Sequence, residues 1–187
     1  MNLIFKSALI LAIIAGTGTN QKQMKTVNTE TSTALWTGKK FGGSHNGTIN
    51  LKSGKFEFDG ELLTGGNFII DMSSLSVTDL DGEMKDKLEG HLKSDDFFST
   101  ESHPDATLIF SKVEKKGSIY QVTADLTIKE KTNPIIFTLD VTETTASTKL
   151  NIDRSKYDVK YGSKSFFKGL GDNFIYDDFE VDVILNF

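Results

Sequence analysis

The strongest constraint on this chain's fold is strict alternation of apolar and polar residues. Lys55-Phe56-Glu57-Phe58-Asp59 sets phenylalanines between charges, and Tyr120, Val122, Ala124, Leu126 and Ile128 share one face against Gln121, Thr123, Asp125, Thr127 and Lys129. Ile135, Phe137, Leu139 and Val141 repeat the pattern, as do Phe179, Val181, Val183, Leu185 and Phe187 at the chain end. A period of two means strands with one wet face and one dry face. Such strands are antiparallel neighbours, because parallel strands are covered on both sides and lose the alternation. Weaker runs at 47–51, 67–72, 106–113 and 148–153 bring the expected total to about eight, enough to close a barrel.

Alternation alone leaves a barrel and a sandwich both open. The last strand ends with the chain, however, and an unpaired edge there is a liability. Pairing it with the first strand, near Leu35–Phe41, removes both edges at once and favours the barrel. The expected fold is therefore an eight-stranded antiparallel β-barrel in one domain over residues 34–187. Length supports a single core, since 187 residues is ample for one and short for two.

Two segments break the alternation. Residues 1–18, MNLIFKSALILAIIAGTG, carry one lysine, a short apolar run and then small residues, which is the layout of a secretory signal peptide. Gly16-Thr17-Gly18 is its best small-x-small cleavage site. The run is too short to cross a bilayer, so no transmembrane span is expected. Residues 19–33 are polar and threonine-rich and read as a disordered leader. The second break is 81–92, where Met84, Leu88 and Leu92 recur at helical spacing. Asp79 or Asp81 is placed to cap this single helix, and Gly90 to mark its stop.

Just beyond the helix stand Phe97 and Phe98. Adjacent side chains share a face neither in a helix nor in a strand, so a turn must bury both. One ring is expected to plug under the helix while the other reaches into the barrel mouth.

Composition narrows the function. The chain has no cysteine, which removes disulfides, thiolate metal sites, cysteine nucleophiles and a lipid-modified cysteine. Lys+Arg is 21 against Asp+Glu 26, a net charge of −5, which disfavours nucleic acid as a partner. Fourteen phenylalanines against four tyrosines and one tryptophan must fill a core or line an apolar cavity.

No pattern carries catalysis. There is no HExxH, GxSxG or GxxxxGK[ST] sequence, and His45, His91 and His103 would have to converge through the fold to hold a metal. His91 and His103 read instead as partners for backbone, and His45 as a turn residue. Asp95-Asp96 and Asp177-Asp178 are sequence neighbours with no acid–base geometry and read as solvated loop charges. Catalytic and metal-ligating residues are accordingly expected to be none. Arg154, Lys156, Lys160, Lys164 and Lys168, interleaved with Tyr157, Tyr161, Phe166 and Phe167, form a basic stretch. It reads either as a solvated loop or as a cationic lip, with Arg154, Lys164 and Lys168 as head-group candidates.

Several short motifs in register resemble the YceI-like family. They are Gly43-Ser44-His45-Asn46-Gly47, His91-Leu92-Lys93-Ser94 with Asp96-Phe97-Phe98, His103-Pro104-Asp105-Ala106-Thr107, Leu126-Thr127-Ile128-Lys129 and Ile152-Asp153-Arg154-Ser155. The chain departs from that pattern at His103, where tyrosine is frequent, and at Glu130, where glycine is frequent; the second departure argues for a changed turn. The resemblance covers about residues 35–187. It implies a bacterial, exported, lipocalin-like barrel with a helical insertion that binds a long isoprenoid lipid, a polyprenyl chain or quinone. It implies no catalytic residues and no cofactor other than such a bound lipid.

The leading functional reading is a periplasmic or secreted, non-enzymatic lipid carrier. Strand parity nominates Phe56, Phe58, Phe68, Phe110, Phe137, Leu139, Val181 and Val183 as pocket residues, with Phe97 and Phe98 at the mouth. Ala124 is a small inward residue at which a tryptophan would block the interior. The competing reading is a barrel with a filled core that serves envelope interaction or stress protection through its loops. A metal enzyme using the three histidines ranks last. A homodimer is compatible with the available edges, although no two-fold surface is specified.

Overall fold

A computed structural model describes residues 22–187; the signal-peptide layout at 1–18 lies outside the described residues. Nine strands follow in order: β1 Lys22–Thr26, β2 Asn28–Lys40, β3 Gly43–Asp59, β4 Leu62–Val77, β5 Asp105–Lys116, β6 Ile119–Ile128, β7 Lys131–Val141, β8 Thr145–Asp153 and β9 Ile175–Asn186. The single helix α1, Gly82–Lys93, lies between β4 and β5, and a 3-10 turn at Arg154–Tyr157 follows β8.

Eight of the strands close a barrel. Each of β2 to β9 pairs antiparallel with its neighbours, β3 with β4 included, and β2 meets β9 with Leu35 opposite Asp182 and Trp36 opposite Val181. The closure expected from the bare last strand is therefore present, and it leaves the ring without an edge. β1 is additional. It pairs with the second half of β3, Thr26 opposite Lys55, where β2 has already left β3 for β9.

The disordered leader expected at 19–33 is corrected over its described part, since residues 22–33 form β1 and the start of β2. Threonines suit a pleated strand even where no face is strongly apolar. Val27, at the joint, is buried and donates its N–H to the Gly54 carbonyl at 2.9 Å. The Asn28 side chain accepts the N–H groups of Glu30 and Thr31, which holds the bend.

Alternation is obeyed where it is strongest. Tyr120, Val122, Ala124, Leu126 and Ile128 are all buried along β6, whereas Ile136, on the outward parity of β7, is 68% exposed. One end of the barrel is packed solid by phenylalanine. Phe187 meets Phe56 and Phe58 with ring centroids 4.9 and 6.1 Å away, and Lys25 spans the Phe58 and Phe187 rings from outside. At Gly66 a Cβ would stand 2.9 Å from the Phe68 and Phe110 rings, so a side chain there would displace the aromatic packing.

The opposite end carries the two long connections, the segment containing α1 and the loop between β8 and β9, beside the two-residue β2–β3 and β6–β7 turns. Helix α1 runs close to the expected 81–92, but its predicted apolar face is shorter. Leu88 and Leu92 pack on the core, while Met84 is 62% exposed. Neither aspartate caps the helix through its side chain: Asp81 occupies the N-cap position without a side-chain bond, and Asp79 turns to His45 and the Asn46 N–H. Gly90 does not stop the helix, which ends at Lys93.

Candidate functional site: an apolar cavity at the open end

Above the aromatic plug the barrel is hollow. A cavity of about 370 Å³ is bordered by residues of β2 to β9 and α1, lined almost wholly by apolar side chains. That volume falls within the range of small-molecule sites, roughly 300–1,000 Å³. Strand parity aims the lining side chains inward, and α1 with its following turn roofs them.

Of the pocket candidates, Phe56, Phe68, Phe110, Phe137, Leu139, Val181 and Val183 all border the cavity, as do Phe97 and Phe98. Phe58 is buried but does not border it, because it stands below in the aromatic plug. Ala124 is likewise fully buried without facing the hollow, so it is not the point at which to block it. Parity distinguishes the dry side from the wet side and carries no information on depth along the barrel.

The adjacent phenylalanines are buried by a tight turn. Ser94 accepts the N–H groups of Phe97 and Ser99 through its carbonyl, and Ser99 sits at φ 51° with its hydroxyl on Asp95. The two rings meet edge to face at 5.0 Å. Phe97 packs under the helix against His91, 5.6 Å away, and Phe98 reaches toward Phe179 of β9 at 6.2 Å. The expected division of the pair between helix and barrel mouth therefore holds.

The head-group candidates separate. Arg154 borders the cavity yet is only 2% exposed, and its guanidinium is committed to the protein. It donates to the carbonyls of Val159 at 2.8 Å and of Tyr176 and Ile175 at 3.2 Å each, lies 3.4 Å from the Asp177 carboxylate, and stands over the Phe97 ring with its Cζ 5.2 Å from the centroid. Burial lowers its pKa, against the pull of the Asp177 and Asp153 carboxylates. It ties the β8–β9 loop to the barrel. Lys164 and Lys168 do not border the cavity at all. Tyr157, beneath the same loop, is buried with its hydroxyl unpartnered among the described residues, and burial pushes that hydroxyl up to about 12.

The histidines do not converge. His45 bonds Asp79 through Nδ1 at 2.9 Å, His91 packs between Phe97 and Tyr161, and His103 lies 3.9 Å from Glu130. Among the described residues no group of three metal-ligating side chains forms, and no helix is long and apolar enough to cross a membrane.

Parity did not nominate several lining residues. Trp36, the chain's sole tryptophan, faces the cavity from β2 and donates its indole N–H to the Thr48 carbonyl at 3.2 Å. Its ring lies over Gly47, where a Cβ would fall 1.8 Å from the Ser76 carbonyl and 2.7 Å from the indole. That close approach gives a physical reason for the last glycine of the Gly43–Gly47 run. Ala34-Leu35-Trp36 is a run of three apolar residues without alternation, so pattern alone does not assign the tryptophan a face.

A family model described as YceI-like domain matches residues 26–187. The chain is 35% identical over 95 residues to a UPF0312 protein of Photorhabdus laumondii, covering 51% of this chain and 47% of that protein. It is 33% identical over 89 residues to protein YceI of Escherichia coli, covering 48% and 44%. The chain thus matches about half the length of these curated relatives. Among solved structures it resembles BcnA of Burkholderia cenocepacia at TM-score 0.69 and 23% identity, covering 86% of this chain and 99% of that one. It also resembles a polyisoprenoid binding domain from Saccharophagus degradans at TM-score 0.57 and 16% identity, covering 86% and 95%. These likenesses show a shared fold.

Proposed function

The chain belongs to the YceI-like family, and from that premise we propose that it is an exported, non-catalytic binding protein for a long isoprenoid lipid of polyprenyl or quinone type. The observation that carries this reading is the apolar cavity above the aromatic plug. A barrel filled to both ends and acting only through its loops has no use for such a hollow. Each methylene moved from water into it contributes about 0.8 kcal/mol, so an apolar chain binds there without a dedicated polar anchor. The Saccharophagus domain, named for polyisoprenoid binding, lends the ligand class. The signal-peptide layout at residues 1–18 lends the place, the bacterial envelope.

Trp36 provides the test, because it is the sole tryptophan and borders the cavity. A long-chain quinone is expected to quench its fluorescence to an endpoint at one equivalent. A short-chain quinone of the same ring is expected to quench far more weakly. Equal quenching by both, or none with the long chain, refutes the reading.

A further inference from the structure

Five aromatic side chains are exposed among the described residues, namely Phe41, Tyr161, Phe166, Phe167 and Tyr176, each 43% to 51% accessible, and all lie around the open end of the barrel. They sit on two elements that meet through the Phe41 N–H and the Phe174 carbonyl, the β2–β3 turn and the β8–β9 loop with the start of β9. Phe41 of the β2–β3 turn meets Phe174 at 5.8 Å, Phe174 meets Tyr176 at 5.0 Å, and Phe166 and Phe167 turn back on Ser163 of the same loop through their N–H groups. Tyr161, Tyr176 and Lys40 also border the cavity, so the surface is continuous with its mouth. Scattered apolar residues need no explanation, but a cluster of this kind marks an interaction site.

Charge indicates the partner. In a chain of net charge −5, the stretch Lys160–Lys168 holds three lysines and no carboxylate. Lys160 pairs with Asp158 and Lys39 with Glu180, whereas Lys40, Lys164 and Lys168 make no ion pair among the described residues. The Lys164 ammonium instead lies 3.3 Å from the centre of the Phe174 ring. Rings at the level of the head groups, with lysines whose stems lie along apolar surface and whose ammonium groups meet phosphates, suit an anionic bilayer.

The geometry points to this rim as a membrane-docking surface that seats the barrel mouth-down on anionic phospholipid. An apolar cargo leaving the cavity there passes into the bilayer without crossing water. Docking does not depend on the cargo and goes beyond the binding reading above.

The test uses the exported form of the chain, without the expected signal peptide at residues 1–18, sedimented with phosphatidylglycerol–phosphatidylcholine vesicles and with phosphatidylcholine vesicles. Hydrogen exchange by mass spectrometry is recorded with and without vesicles. Binding is expected to need the anionic lipid and to weaken with salt, with new protection at residues 39–42 and 160–176. Removing one lysine near the surface should weaken binding about fivefold, so the double variant K164Q/K168Q should lose roughly 25-fold. The pair F166S/F167S should reduce binding while leaving quinone uptake in detergent unchanged, since neither ring borders the cavity. Vesicle binding that leaves these segments unprotected overturns the proposal, as does an unchanged K164Q/K168Q variant or a wild-type chain that ignores anionic vesicles. Protection of the same loop that grows with protein concentration alone assigns the rim to a second copy of the chain and equally overturns it.

Discussion

The Glu89 carboxylate on α1 accepts the backbone N–H of Val77 on β4 at 2.7 Å, and the same oxygen takes the Ser76 hydroxyl at 2.8 Å. No residue of α1 is fully buried, so this polar tie supplements the half-buried Leu88 and Leu92 in holding the roof of the cavity. The Val77 N–H, then the Ser76 hydroxyl, hold the Glu89 pKa below its ordinary 4.5 against the opposing effect of burial.

A carboxylate with a lowered folded pKa contributes stability that is present above its unfolded value and lost as pH falls through the folded one. Corrected hydrogen-exchange protection of residues 82–93 should be flat from neutral pH down to about 5 and should decline once pH drops below 4.5. E89A should already show reduced protection at neutral pH, by about 1–2 kcal/mol of opening free energy, with a smaller further acid step. Equal protection in E89A and wild type at pH 7 would falsify this role.

Arg154 is predicted to be structural. R154M removes three donors from backbone carbonyls and leaves Asp177 without its cation, at a cost of about 3–5 kcal/mol in chemical denaturation. R154K should recover only part of this, because one ammonium does not reproduce a planar fork aimed at three acceptors. A fully stable R154K with weakened ligand binding would instead make the residue a head-group contact.

The turn between β6 and β7 holds Lys129 and Glu130 at φ 49° and 59°, the left-handed region that favours glycine. E130G should therefore stabilise the protein by roughly 0.5–1 kcal/mol, with relieved strain outweighing the extra freedom of the unfolded chain. A lower melting temperature in E130G would contradict that balance. Ile128 pairs with Lys131, so Lys129 and Glu130 alone make the turn.

Ala106, buried on β5, borders the cavity where Ala124 does not. A106W should fill the hollow and abolish co-elution of a long-chain quinone on gel filtration, at a stability cost of about 1–3 kcal/mol from overpacking. A124W should lose stability of similar size while its direct effect on the cavity is small. Undiminished quinone retention in folded A106W would place the ligand elsewhere.

Legibility in the sequence followed the physics of each element. β6, β7 and β9 were plain because one face is dry and the other wet along their length. Barrel closure was legible because a strand ending the chain needs a partner. The start of β2 was not, since backbone pairing and a single buried valine hold it with little apolar signal. The exposure of Met84 was hidden because helical spacing gives the face of a residue and not how far the barrel rim reaches. Arg154 looked like its neighbouring lysines; only the fold shows three carbonyls converging on it. Whether the interior is solid or hollow depends on packing depth, which alternation does not encode.

The central claim is that the hollow holds an apolar lipid. Its most direct measurement is native mass spectrometry of the protein purified from a bacterial host, paired with an organic extract of the same sample. The account predicts a complex heavier than the bare chain by one isoprenoid lipid, with that lipid recovered in the extract at one per protein. A bare mass that stays bare after incubation with long-chain quinone and polyprenyl lipid would contradict it.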